Sequence, residues 1–236
     1  VDADQLLRQA DQAMYQAKIS GKNVYHFFDA THDRNVRDRH ESLEHIRNAL
    51  QASEMVLHYQ PKVNMRTGQV AGAEALIRWE HPERGLLAPG LFLPAIENHA
   101  LAVELDEWVI HTALKQMQIW QDAGLQLPVS INVGARLLQR HDFVQRIQSL
   151  LADHPDVDPR NVELEVLETN ALMDIDGVSL AMQECRDFGV TFALDDFGTG
   201  YSSLAYVKRL PVSRLKIDQS FVRDMLVDRD DMAILR

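Results

Sequence analysis

Apolar residues recur along this chain in two rhythms, one helical and one strand-like. Between residues 2 and 22, Leu6, Leu7, Ala10, Ala13, Met14 and Ala17 fall at helical spacing. Ser20-Gly-Lys-Asn23 ends that helix, and Val24-Tyr-His-Phe-Phe28 reads as a short strand. Residues 29–40 are polar and charged and read as a linker. A new helix is expected from Glu41 to about Ala52, with Leu43, Ile46 and Leu50 on one face. Beyond it, strands are predicted around Leu57–Gln60, Ala73–Trp79, Val129–Val133, Val162–Val166, from Thr191, and over Arg214–Asp218. A turn is expected at Arg66-Thr-Gly68, and Pro82, Pro89 and Pro94 mark a long connection. Helices are predicted near 103–123, 142–152, 178–188 and 203–209, with a helical start at 230–236.

Strands that alternate with helices call for a parallel sheet, and so many units favour a TIM-like (β/α) barrel in the α/β class. Six strands are predicted where a closed barrel of this kind has eight. The expectation is therefore a barrel lacking its last two strands.

The alternation within strands carries the chemistry, because successive side chains point to opposite faces. In Val129–Val133 the valines and isoleucine occupy one phase, and Ser130 and Asn132 the other. The same phase elsewhere holds His58 and Gln60, Glu74, Leu76 and Arg78, Glu163 and Glu165, and Lys216 and Asp218. Burying unpaired carboxylates costs several kcal/mol each, so a purely structural core would not collect them. A barrel mouth would, since active sites lie at the carboxyl ends of the strands. The strand from Thr191 ends on the adjacent carboxylates Asp195 and Asp196, before Gly198 and Gly200. Glu74, Asn132, Glu165 and Asp195 offer oxygen ligands alone, which suits magnesium, manganese or calcium. Adjacent residues normally point apart, but a strand ending at Asp195 and a turn freed by Gly198 would let Asp195 and Asp196 serve neighbouring cations. Two such cations suit water attack on a phosphate ester. Lys216 would orient that water or stabilise developing charge, or else merely neutralise the carboxylates. Arg78 would grip a phosphate, or form a barrel salt bridge.

Composition narrows the field. The 236 residues allow one full domain and a small appendage, and 46% hydrophobic content is ordinary for a globular chain. A formal net charge of −11 argues against duplex nucleic acid and against contact with anionic membrane. No apolar run approaches the ~20 residues of a membrane span. A single cysteine, Cys185, excludes an internal disulfide framework and suits a cytoplasmic setting. No His/Cys cluster stands at zinc spacing. Asp196-Phe-Gly198 is shared with the kinase metal triplet, but no glycine-rich loop and lysine precede it.

Ala73-Glu-Ala-Leu-Ile-Arg-Trp79 resembles the signature of the EAL domain, the bacterial cyclic-di-GMP phosphodiesterase. Tyr59-Gln-Pro61, Ser130-Ile-Asn-Val133, Glu163-Leu-Glu-Val-Leu-Glu168, Leu194-Asp-Asp-Phe-Gly-Thr-Gly-Tyr-Ser-Ser-Leu204 and Leu215-Lys-Ile-Asp218 extend the resemblance over residues 41–236. Ala10-Asp-Gln-Ala-Met-Tyr-Gln-Ala-Lys18 with Gly21-Lys-Asn23 resembles the last helix of a GGDEF (diguanylate cyclase) domain. The implied organisation is a GGDEF remnant over 1–28, a linker over 29–40 and an EAL domain over 41–236. The resemblance implies a barrel with an antiparallel first strand and hydrolysis of cyclic di-GMP to pGpG with Mg2+ or Mn2+. It implies that Glu74, Asn132, Glu165 and Asp195 bind a first metal, Asp195 and Asp196 a second, and that Lys216 contacts the catalytic water. Gln60, Arg78 and Asp218 would line the substrate site. Glu168 would support the loop 197–203, which couples metal binding to a homodimer. The family's further glutamate-bearing strand and last, glutamine-bearing strand find no match, so the piece given is expected to turn over little substrate. A non-catalytic cyclic-di-GMP receptor and a partner-binding scaffold compete with the enzyme. Retention of every matched metal ligand favours the enzyme.

Overall fold

The computed structural model describes Met14, residues 30–172, 174–198 and 208–223, with side chains from residue 41 onward within the long helix. The helix and strand expected before residue 29, the helix near 203–209 and the helical start at 230–236 fall almost wholly outside the described residues. The chain divides into two compact units, Val1–Asn48 and Ala49–Arg236.

A long helix, α1, spans Ala30–Gln51 and begins well before the predicted Glu41. The segment expected as a linker is therefore helical. Its sequence contains no glycine or proline, and Asp33 and Arg37 stand four apart, a spacing that supports a helix without an apolar face.

In the second unit a seven-stranded sheet runs β1 (Met55–Val63), β2 (Val70–His81), β4 (Val129–Val133), β5 (Val162–Leu167), β6 (Thr191–Phe197) and β7 (Arg214–Ile217). A three-residue strand, β3 (Gly85–Leu87), pairs with β2. β1 pairs with β2 antiparallel, and from β2 to β7 the main path is parallel. The α/β class and the antiparallel first strand are as expected; β3 is additional.

Helices follow the strands. A short α2 (Leu93–Ile96) precedes α3 (Leu101–Asp122), which packs on β4 and β1. Its buried seam of Leu101, Leu105, Val109, Ala113 and Met117 repeats every fourth residue. Each such residue contributes about 1.5–3 kcal/mol when removed from water. α4 (Ala135–Leu138) and α5 (Phe143–Ala152) lie between β4 and β5, and α6 (Glu168–Leu172) and α7 (Ile175–Asp187) between β5 and β6. A short helix, α8 (Gln219–Arg223), follows β7. Val129, Ile131, Leu164, Val166, Phe192 and Ala193 are fully buried, so the parallel strands supply the centre of the core.

The sheet must curl. β2 and β7 stand four strand spacings apart, about 19 Å in a flat sheet. Yet Lys216 Nζ on β7 lies 3.3 Å from Glu74 Oε1 on β2. The two strands therefore face one another across an interior, as the wall of a barrel does.

Candidate active site

Two layers of polar side chains fill that interior. The deeper layer comprises Lys62 from β1, Ser130 from β4, Glu163 from β5 and Arg214 from β7. Lys62 Nζ donates to Ser130 Oγ and to Glu163 Oε1 at 2.8 Å. Ser130 Oγ also donates to Glu163 Oε1, at 2.6 Å, and Arg214 donates to both oxygens of Glu163 at 2.7 Å. Burial alone would raise the Glu163 carboxyl, but Lys62, Ser130 and Arg214 outweigh it and hold the group below its usual range.

The upper layer holds Glu74, Asn132, Glu165, Asp195 and Lys216. Register aligns Asn132 with Glu165. Glu165 aligns with Ala193, two residues before Asp195 on the same strand face. Glu74, Glu165 and Asp195 each present an oxygen within 4.8 Å of the others. Asn132 Nδ2 donates to Glu74 Oε1 at 3.1 Å, which leaves its carbonyl oxygen as the group able to act as a ligand. Lys216 Nζ donates to Glu165 Oε2 at 2.5 Å and to Asp195 Oδ2 at 2.9 Å.

Three carboxylates and one ammonium leave this layer two negative charges in excess. Burial lifts the Glu165 acid above its normal range, and the hydrogen bond from Lys216 offsets this only in part. Burial pulls Lys216 down, but its bonds to Glu165 and Asp195 outweigh that and raise it. Burial sets the direction for Glu165, and the surrounding carboxylates set it for Lys216. Glu165 Oε1 is buried and has no hydrogen-bond partner. An orphaned carboxylate oxygen in an all-oxygen cluster with surplus negative charge fits a hard divalent cation.

Asp195 and Asp196 do not behave as ordinary strand neighbours. Leu194 pairs with Leu215 and Phe197 with Ile217, so β6 carries one residue more than β7 across this step. Asp196 takes up that residue with φ +53, a left-handed conformation aspartate tolerates better than most residues. The strand thus continues to Phe197 through a bulge at Asp195 and Asp196. Asp196 is exposed and shares a hydrogen bond with Asp218. Burial and the charges of Asp195 and Asp218 push its carboxyl upward. Asp218 also accepts the Ser220 backbone N–H at 2.8 Å.

The remaining candidates lie around this centre. Gln60 is the cross-strand partner of Glu74 and is exposed. Arg78 donates to the Ile77 carbonyl at 2.8 Å and makes no ion pair among the described residues. Glu168 is 2% exposed, and its Oε2 accepts the Gly198 N–H at 3.0 Å. Residues 199–207 lie outside the described residues. Lys62 and Arg214 were missed by sequence reasoning, although each sits two residues from a selected inward position, Gln60 and Lys216. Strand alternation carried that signal.

Comparison with known proteins gives the same picture. The family model for the EAL domain matches residues 43–236. The bifunctional diguanylate cyclase/cyclic di-GMP phosphodiesterase MucR of Pseudomonas aeruginosa is 41% identical over 232 residues, covering 98% of this chain and 34% of that protein. Cyclic di-GMP phosphodiesterase NbdA of the same organism is 36% identical over 232 residues, covering 98% of this chain and 30% of NbdA. The chain thus spans about a third of the length of these relatives. The solved structure of the PaMucR phosphodiesterase in complex with c-di-GMP superposes with a TM-score of 0.78 at 42% identity, over 83% of this chain and 79% of that one. The curled sheet, the converging carboxylates and these matches lead to one conclusion: the chain belongs to the EAL domain family.

Proposed function

We propose that the full-length protein hydrolyses cyclic di-GMP to linear pGpG with Mg2+ or Mn2+ through this domain, using the cluster of Glu74, Asn132, Glu165 and Asp195. The observation that carries the reading is the meeting of three carboxylates from three strands within 4.8 Å, with one ammonium among them. The similarity to MucR and NbdA, both named cyclic-di-GMP phosphodiesterases, supplies the substrate class.

When bound, the divalent cation supplies Lewis acidity that activates water and offsets phosphate charge. The chain's own residues do the rest. Glu74, Glu165 and Asp195 hold the cation by charge, and Asn132 adds a neutral oxygen. Asp196, beside Asp195 on the bulge and hydrogen-bonded with Asp218, would serve a second cation. Lys216 remains protonated, so it acts as a fixed donor and not as a base. It orients the attacking water and stabilises charge developing on the phosphoryl oxygens. Arg78 offers a fork of donors for a phosphate, and Gln60 and Asp218 border the substrate. Glu168 tethers the start of the loop at Gly198, which we assign to coupling between the site and a homodimer. Residues 1–28 are read as the end of a GGDEF domain. The bifunctional MucR, aligned over 98% of this chain, supports that reading.

The test is incubation of the full-length protein with cyclic di-GMP, with and without Mg2+, followed by separation of nucleotides. Metal-dependent pGpG is expected. Glu74→Ala should lower its formation about a hundredfold or more, since even outer-shell partners of metal sites matter about 10–100-fold. Binding without turnover in both conditions would instead mark a receptor.

A further inference from the structure

The deeper polar layer has a geometry that neutralising Glu163 does not require. Arg214 alone already engages both Glu163 oxygens. Lys62 nevertheless reaches in from β1, three strands away from Glu163 along the sheet. Its stem passes over Gly72, its cross-strand partner, where an added Cβ would lie 3.4 Å from Lys62 Cε. Glycine leaves the space through which the lysine extends. The ammonium then ties β1 to β4 through Ser130 and to β5 through Glu163. It also stands 3.7 Å from Glu165 Oε1, a buried oxygen without a hydrogen-bond partner. Glu165 is thus flanked by two ammoniums, Lys216 on Oε2 and Lys62 near Oε1.

We infer that Lys62 is a positioning residue for the divalent-cation site, fixing the side chain of Glu165 from the deeper layer so that its carboxylate stays within the cluster. It touches neither substrate nor cation. Lys216 stands among the three acids of the upper layer, whereas Lys62 approaches from the layer that holds Ser130 and Glu163. Lys62 therefore sets the depth and rotation of the Glu165 carboxylate, and Ser130 and Glu163 set Lys62.

The charge of Lys62 and its position act on the site with opposite signs. Removing a cation near a cation site would tighten Mn2+ binding by charge alone. Removing the group that orients a ligand loosens it, by about 10–100-fold at comparable outer-shell sites. Mn2+ titration of the metal-free full-length protein, read by calorimetry or by the spin-resonance signal of free Mn2+, separates them. Lys62→Met, which keeps the stem, is expected to weaken Mn2+ binding about tenfold or more. Lys62→Arg, which keeps a cation over Gly72, should bind Mn2+ more tightly than Lys62→Met. The double variant Lys62→Met/Glu163→Gln removes both charges and keeps the fold free of an under-compensated acid. It should still bind Mn2+ weakly, and it is read by the same criterion if Lys62→Met does not fold. Unchanged or tightened binding in the folded variants overturns the inference.

A kinetic arm rests on the phosphodiesterase reading: kcat should fall in Lys62→Met while KM for cyclic di-GMP stays within about twofold. Absence of hydrolysis in the unmodified protein would defeat that reading and leave the titration to decide the role of Lys62.

Discussion

Replacing Lys216 by methionine should expose how much charge the upper layer stores. Lys216 lies 2.5, 2.9 and 3.3 Å from oxygens of Glu165, Asp195 and Glu74. Without it, three acids face one another within 4.8 Å, and the ammonium left beside them is Lys62, 3.7 Å from Glu165 Oε1. At that separation and an effective dielectric of about 20, each ionised pair repels by about 3.5 kcal/mol. Breaking a buried pair costs about 3–5 kcal/mol, and partial exposure of Glu74 and Asp195 places this one near the lower end, about 3 kcal/mol. For a domain of this size that corresponds to a fall in Tm of about 6–12 °C. Mg2+ at a hundred times its Kd returns about 2.7 kcal/mol, close to the whole loss. Calorimetric melting of Lys216→Met and the unmodified protein, with and without Mg2+, reads both quantities. The Mg2+-induced rise should be larger in the variant, because the Lys216 ammonium no longer competes for the carboxylates, while turnover stays lost. The gap between the metal-free proteins should also narrow as pH falls. The folded Glu165 acid is already raised above its unfolded value, so its ionised form disfavours the fold at high pH and the penalty vanishes once it is protonated. A metal-free variant melting within about 1 °C of the unmodified protein, or equal Mg2+ effects in both, would refute the reasoning.

Three further substitutions probe the frame. Gly72→Ala would bring a Cβ to 2.9 Å from the Pro128 carbonyl, which already accepts the Ala73 N–H. It should cost about 1–3 kcal/mol in urea unfolding. Leu114→Ala empties a fully buried position on α3 and should cost about 2–5 kcal/mol by the same measurement. Asp106 accepts the Gly134 N–H at 3.0 Å, and burial lifts its carboxyl from 3.8 to about 7. Through that window the unfolded chain ionises before the folded one, so stability should decline as pH rises. Asp106→Asn, which keeps the acceptor, should flatten that slope in a pH series of melting curves.

Alternation of apolar and polar residues was enough to read most of the barrel wall. Val129–Val133 has the predicted bounds, and the phase that sets Asn132 apart from Val129, Ile131 and Val133 also sets Glu165 apart from Leu164 and Val166. Three features were not legible, each for a physical reason. The polar start of α1 lacks an apolar face, so it resembled a linker, although nothing in it breaks a helix. β3 is three residues long, too short for any periodicity to register. The bulge at Asp195 and Asp196 depends on one positive φ, which no hydrophobic pattern encodes. Lys62 and Arg214 were legible but overlooked, because a basic residue near a strand end reads as exposed until a buried carboxylate across the interior claims it.

The most direct test of the account is Mn2+ titration of the metal-free protein beside Glu165→Gln. The substitution preserves shape while removing one charge from the cluster and altering the cluster carboxylate whose Oε1 is buried without a hydrogen-bond partner. Saturable Mn2+ binding by the unmodified protein, weakened about tenfold or more in Glu165→Gln, is the predicted result. Equal affinity in the two proteins, or no saturable binding in either, would contradict the claim that these strands converge to grip a divalent cation.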